Sequence, residues 1–213
     1  MAKLKKLIIA CDGESASGKS TAAKLVSKKY KLSLINSGLL YRYCSKMIIK
    51  NNPKEVIQFL KKKFKTASYN KISKQNLHSE VISNHVALIA KNKKIREIVN
   101  KFQMKIIKSN NRICVEGRDI ASKILSKNPK YDVAFYFKCS LDIAAYRRWL
   151  DIKKIVPLKE VKKSLKMRTT LDKKRKNSPL IKVKDAILIR SDMLNKRQVL
   201  VRMSKVVDKF ITN

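Results

Sequence analysis

The chain has 213 residues, 44% of them hydrophobic, with 52 basic and 15 acidic side chains for a formal net charge of +37. That length suits one domain and that apolar content a real core, which excludes a chain disordered throughout. No apolar run nears the roughly 20 residues of a bilayer span, and Cys11, Cys44, Cys114 and Cys139 lie far apart without a CxxC pair, so the expectation is a soluble cytoplasmic protein with reduced thiols and anionic partners. Residues 5–11 form a short apolar run closed by Asp12-Gly13 and read as a buried strand. Residues 20–30 carry Ala22, Ala23, Leu25 and Val26 at helical spacing. A second strand at 32–35 and a second helix at 39–50 follow, then the turn Asn51-Asn52-Pro53 and a helix at 54–63. From 64 to 76 the pattern fades into a polar excursion. Helices are read at 79–91 and 95–108, a strand at 112–116 ending in Gly117, and a short helix at 120–125. Residues 131–137 are the most strand-like of all. Helices at 141–151 and 159–175, a last strand at 185–189 and a last helix at 196–210 complete the chain. Strands alternating with helices predict an α/β fold, a parallel sheet covered on both faces.

Of the 52 basic residues only 11 are Arg. Lysine is spread along the whole chain, as it is when an AT-rich genome fills solvated faces with it by default. Arginine positions therefore carry more information than their number, and the four glycines carry more still.

Gly13-Glu14-Ser15-Ala16-Ser17-Gly18-Lys19-Ser20 matches GxxxxGK[ST], directly after a strand and directly before a helix. Glycine lets the backbone curl so that successive N–H groups face phosphate oxygens, and the helix start adds the positive end of a dipole. Lys19 reaches the β/γ oxygens of a nucleoside triphosphate, and the Ser20 hydroxyl takes Mg²⁺. Asp12, just ahead of the loop, either orders it or holds a metal-bound water.

A phosphate loop does not name the acceptor. The runs CDGESASGKST, INSGLLYR and VEGRDIAS resemble those of the bacterial cytidylate kinases, which read like DGPSASGKGT, DTGAMYR and EGRDIGT. Downstream, SLDIAAYRRWL is similar to that family's helix with a double Arg. The stretch through Arg168, Asp172, Arg175, Pro179-Leu180 and Asp185-Ala186 is similar to its lid and final strand. The likeness covers nearly the whole chain in order. All four glycines (13, 18, 38 and 117) and seven of the 11 Arg (42, 96, 118, 147, 148, 168 and 175) fall in or beside these blocks. Where Lys is the default cation, a retained Arg marks a need for the planar bidentate fork. Surface ion pairing explains any one of them but not the clustering.

The resemblance implies a P-loop NTPase fold: a five-stranded parallel sheet flanked by helices, with a monophosphate-binding insert and a helical lid. The expected domain is single, with a core at about 1–36, 108–147 and 183–213, the insert at about 37–107 and the lid at about 148–182. It implies ATP-dependent, Mg²⁺-assisted phosphorylation of CMP and dCMP by a cytoplasmic monomer, with no obligate nucleic acid and no membrane. ATP would be held by the loop from Gly13 to Ser20 and by Thr21. The acceptor would meet Ser37, Tyr41, Arg42, Arg96, Arg118, Asp119, Arg168 and Asp172, with Arg42 and Arg118 as phosphate forks. Asp119 would accept from the cytosine amino group and Arg96 donate to the base carbonyl. Asp172 and Arg168 would reach the ribose. Lys19, Arg147, Arg148, Arg168 and Arg175 would stabilise charge in the transition state, the four arginines acting from the lid. Plainer readings stand beside these: core packing for Tyr41, a helix N-cap for Asp119, and an intrahelical ion pair for Arg168 and Asp172. The chain departs from the pattern at Ala87 and Thr169, and at His78 and Arg190. It also has a short 64–76 segment. These bear on base selectivity, not on phosphoryl transfer. The competing functions are a UMP or AMP kinase and a non-enzymatic P-loop protein that binds nucleic acid through its charge.

Overall fold

Seven consecutive buried residues, Leu7–Gly13, form strand β1. In the computed structural model, which describes residues 5–212, it is followed by α1 (Lys19–Lys29), β2 (Ser33–Asn36), α2 (Ser37–Asn51), α3 (Val56–Thr66), α4 (Tyr69–Ser73), α5 (Glu80–Ile89) and α6 (Lys93–Lys108). The second half holds β3 (Arg112–Gly117), a turn of π-helix at Ile120–Ile124, β4 (Val133–Lys138), α7 (Leu141–Asp151), α8 (Leu158–Lys174), β5 (Ile187–Arg190) and α9 (Lys196–Thr212). The chain divides into two compact units, Met1–Ile35 with Asn110–Asn213, and Asn36–Ser109. No helix of the described residues is long and apolar enough to cross a membrane.

The first unit is built on a five-stranded sheet in the order β2-β3-β1-β4-β5. β1 runs parallel to β3, with Ile9 opposite Cys114, and parallel to β4, with Cys11 opposite Phe135; β4 runs parallel to β5. Leu7, Ile9 and Cys11 face a cluster with Ala22, Ala23 and Val26 of α1 and Val199, Met203 and Val207 of α9. Ile8 and Ala10, on the opposite face, are equally buried. A parallel strand covered on both sides therefore reads as an unbroken apolar run, not an alternation. α7 and α8 form a smaller cluster in which Ala144 and Ala145 meet Val161 and Leu165, with Trp149 packed against its edge. Tyr146 and Trp149 lie 6.0 Å apart, and the Lys154 ammonium sits 4.9 Å from the Trp149 ring centre.

The second unit is helical. Its core gathers Leu40 and Cys44 of α2, Leu60 and Phe64 of α3, Ile72 of α4 and Ile95 and Val99 of α6. Tyr43, Phe64 and Phe102 meet edge to face, with centroids 5.6 and 5.0 Å apart, the geometry that aromatic quadrupoles favour. Side-chain caps open three of its helices: Asn36 accepts from the Leu39 N–H, Ser79 from Ile82 and Asn92 from Ile95.

The structure corrects the sequence reading in three places. The excursion at 64–76 is ordered: α3 continues to Thr66, and Tyr69–Ser73 form a helix of their own. One apolar anchor, the fully buried Ile72, and the Tyr69 hydroxyl, which accepts from the Asn36 N–H at 2.6 Å, hold it. So short a helix has no periodicity to read. The segment after Asp119 is wider than an α-helix, because Ile124 and Leu125 donate five residues back, to Asp119 and Ile120. The last strand starts at Ile187; Asp185 lies in the turn before it and accepts from the Tyr131 hydroxyl at 2.7 Å.

Gly13 closes β1 against β4. A Cβ there would lie 2.4 Å from the Phe137 carbonyl oxygen and 2.7 Å from the Phe137 Cβ, so the backbone itself would have to shift. Gly13→Ala is expected to destabilise the fold by about 2 kcal/mol or more. A thermal melt would read this as a fall of roughly 4–8 °C; an unchanged melt would mean the two strands separate freely at this point.

Candidate active site

The turn between β1 and α1 is held by its own polar groups. The Ser17 hydroxyl donates to the Glu14 carbonyl at 2.9 Å, and the Ser191 hydroxyl donates to the Ser17 carbonyl at 2.9 Å. Gly18 takes a left-handed conformation (φ 77°) without steric cost, whereas Ala16 (φ 57°) takes one under strain, tolerated mainly where function needs the loop shape. α1 then begins with no side-chain cap on its first N–H groups. An uncapped helix start behind a curled loop is an anion site by construction.

Lys19 is buried in the first turn of α1, its ammonium 4.0 Å from Oε2 of Glu116, the carboxylate at the end of β3. Burial pulls the lysine pKa down to about 8; Arg118 adds to the fall, and Glu116 and Asp12 oppose it. Asp12 is buried too, and burial lifts its pKa to about 6. Its two oxygens accept from the N–H groups of Ile120 (2.9 Å) and Ala121 (2.8 Å). Asp12 thus orders the turn that follows Arg118 and Asp119.

The same unit holds seven more of the expected residues, four of which (Arg118, Asp119, Asp172 and Arg175) meet in one network. Arg118 Nε donates to Asp172 Oδ2 at 2.9 Å and its Nη2 donates to the Ser15 hydroxyl at 3.2 Å. Arg175, just past the end of α8, places Nη1 3.3 Å from Asp172 Oδ1 and Nη2 3.5 Å from Asp119 Oδ1. Its Nε donates to the Ser178 carbonyl. The carboxylate of Asp172 therefore bridges two arginines and links the end of α8 to the loop. Asp119 precedes the π-helical turn but makes no capping hydrogen bond with its side chain. Arg168, half-buried on α8, acts electrostatically on Lys19. Arg147 on α7 donates to the carbonyls of Ser191 (2.7 Å) and Asp192 (3.2 Å), bracing the segment whose Ser191 holds the loop. Arg148, half-buried on α7, joins neither network among the described residues. Behind Gly18 lies a cleft of about 580 Å³ lined by Thr21, Leu25, Arg147, Ser191, Leu194 and Val199, among others.

Ser37, Tyr41, Arg42 and Arg96 belong to the helical unit, and all four are buried there. The Ser37 hydroxyl donates to Gln103 Oε1 at 2.5 Å. Arg42 Nη1 donates to the Leu77 carbonyl (3.0 Å) and the Ser83 hydroxyl (2.8 Å). The Arg96 guanidinium lies 5.6 Å from the Tyr41 ring centre. Tyr41 is thus both core and platform.

A sequence profile described as "Cytidylate kinase" matches residues 9–209. The chain belongs to the cytidylate kinase family. It is 34% identical over 224 residues to the bifunctional pantoate ligase/cytidylate kinase of Prochlorococcus marinus (strain AS9601), covering 96% of this chain and 42% of that protein. It is 30% identical over 215 residues to the cytidylate kinase of Clostridium botulinum (strain Okra / Type B1), covering 94% of this chain and 97% of that one. Among solved structures, the shikimate kinase of Bacteroides thetaiotaomicron superposes with a TM-score of 0.52 at 10% identity, over 95% of this chain and 98% of that one. That likeness speaks for the P-loop kinase fold alone.

Sequence reasoning missed Glu116, Ser191 and Gln103. Glu116 had a signal: it is one of only 15 acidic residues, and it follows the apolar run 113–115 within a strand. Nothing in the sequence marks Ser191, whose role exists only because the β5–α9 connection passes beside the loop.

Because Asp12 binds its proton more tightly folded (about 6) than as an ordinary carboxylate, its charged form opposes folding. Its contribution is most favourable below about pH 4 and is lost as pH rises through 6, by about 3 kcal/mol at most. The melting temperature of the wild type relative to Asp12→Asn should therefore rise as pH is lowered from 7 to 4.5. A pH-independent difference between the two would mean that Asp12 titrates like an exposed carboxylate.

Proposed function

We propose that the protein transfers the γ-phosphoryl group of ATP to CMP and dCMP. The observation that carries this reading is the buried Lys19 at the head of an uncapped helix, with Arg118 and Arg175 joined through Asp172 beside the same loop. Loop N–H groups and Lys19 neutralise the β- and γ-phosphates, and the cleft behind Gly18 suits the donor base. Phosphoryl transfer spreads charge over equatorial oxygens, which cationic forks positioned in advance stabilise. Arg118 and Arg175 supply two such forks, and Arg168 adds field at Lys19. In the helical unit, Arg42, Arg96, Tyr41 and Ser37 are assigned to the acceptor on the strength of the resemblance.

Mg²⁺ fits as a metal that arrives with the nucleotide. Among the described residues no three metal-ligating side chains converge, and both Asp12 oxygens are engaged by backbone N–H groups. The exposed Ser20 hydroxyl in the first turn of α1 is left as the protein's ligand; the ion itself would draw charge from the transferring phosphate. Four buried thiols suit a reducing cytoplasm, and we place the enzyme there as a monomer.

A coupled assay across CMP, dCMP, UMP, AMP and GMP tests the reading: turnover is expected to be highest with CMP and dCMP, and equal rates with UMP or AMP would replace it. Lys19 acts as a cation, so kcat/KM for ATP, which reports the free enzyme, should fall above about pH 8. Bound phosphates stabilise the ammonium, so kcat should persist to higher pH. Coinciding profiles would show that the Lys19 proton is not the one observed. Asp119, buried and without a capping role, is the base reader. Asp119→Asn should narrow the CMP-over-UMP preference by roughly 5- to 150-fold. Parallel loss on both substrates would assign Asp119 to holding Arg175 instead.

A further inference from the structure

A loop that binds triphosphate through backbone N–H groups gains nothing from a carboxylate within it, yet Glu14 is its second residue. The Glu14 backbone N–H donates to the Phe137 carbonyl at 3.1 Å, and its side chain is only 12% exposed. An uncompensated negative charge there would repel the polyanion that the loop exists to hold, all the more because burial weakens solvent screening. Compensation comes from α8. Lys173, in its last turn, donates from Nζ to Glu14 Oε1 at 2.7 Å while remaining 47% exposed itself.

The neighbouring contact gives this pair its meaning. Asp172 reaches Ser15 through Arg118, and Lys173 reaches Glu14 directly. Two successive residues of α8 thus engage two successive residues of the loop. We propose that Lys173 is a positioning residue that neutralises Glu14, so that triphosphate binding is coupled to docking of the end of α8 on the loop. The inference rests on the nucleotide-binding reading above. With α8 docked, the loop presents an ion pair and its N–H groups. With α8 lifted, it presents a bare carboxylate. Triphosphate therefore favours the docked form, and by reciprocity the docked form favours triphosphate.

The double-mutant cycle that tests this has an asymmetric signature. Titration calorimetry with Mg-ATP, acceptor absent, would be run on the wild type, Lys173→Ala, Glu14→Gln, the double variant, and Lys174→Ala as a control for net charge at the exposed neighbour. Lys173→Ala should weaken binding about 5- to 10-fold, by a factor that shrinks as salt is raised. Glu14→Gln should bind at least as tightly as the wild type. The double variant should recover to within about 2-fold of Glu14→Gln, and Lys174→Ala should match the wild type; thermal melts check that each variant folds. A double variant as weak as Lys173→Ala would overturn the proposal, because Lys173 would then touch phosphate itself. Equal affinities throughout would overturn it by reducing the pair to a solvated surface contact. A wild type that binds no ATP would remove the kinase reading, and this inference with it.

Discussion

A lysine ammonium taken out of water at the head of α1 demands compensation, and much of the first unit is arranged around supplying it. Glu116 approaches Lys19 from β3 and Asp12 lies beneath, while Arg118 and Arg168 push the other way. Opposing charges in a buried site hold each other in place only where each finds a partner. Asp12 finds two backbone N–H groups. Lys19 finds a carboxylate at the long distance of 4.0 Å, which favours its charge; under the nucleotide-binding reading, that is far enough to yield to a phosphate oxygen. The site is balanced short of full satisfaction, which is the condition for binding an anion strongly.

The arginines follow the same logic at one remove. Arg118 and Arg175 share the two oxygens of Asp172, and Asp119 faces the second of them. The charges alternate, and each fork is oriented before any ligand enters. Under the kinase reading proposed above, a phosphate would exchange partners within this network instead of ordering flexible side chains, which would lower the entropy lost on binding. Lysine, a rotatable point charge, has no rigid fork with which to hold a carboxylate oxygen and a neighbouring hydroxyl in fixed geometry, as Arg118 does.

What the sequence made legible follows from how local each signal is. β1 and the loop were readable because an apolar run, a glycine pattern and a helix start stand within 14 consecutive residues, 7–20. The scarcity of Arg and Gly in a Lys-rich chain pointed to Arg118 and Arg175 as well. The contact between Arg118 and Asp172 was not readable, since 54 residues separate them; expectation had paired Asp172 with Arg168, four residues away. α4 escaped notice because five residues cannot display a helical period, and its stability lies in Ile72 and the Tyr69 hydroxyl. The hydrogen bonds of Arg147 to the Ser191 and Asp192 carbonyls are likewise not legible in the sequence, being set by the path of the chain after β5.

The only tryptophan of the chain, Trp149, stands at the edge of the α7–α8 cluster with a lysine ammonium over its ring. Seven tyrosines are spread over both units, but the indole reports from one place. Light absorbed near 295 nm would therefore be re-emitted almost wholly from α7, so the colour of that emission follows the packing of α7 on α8 while the sheet stays dark. The protein carries an intrinsic optical probe in the helix pair whose far end meets the phosphate loop, and rearrangement there can be watched without attaching a dye.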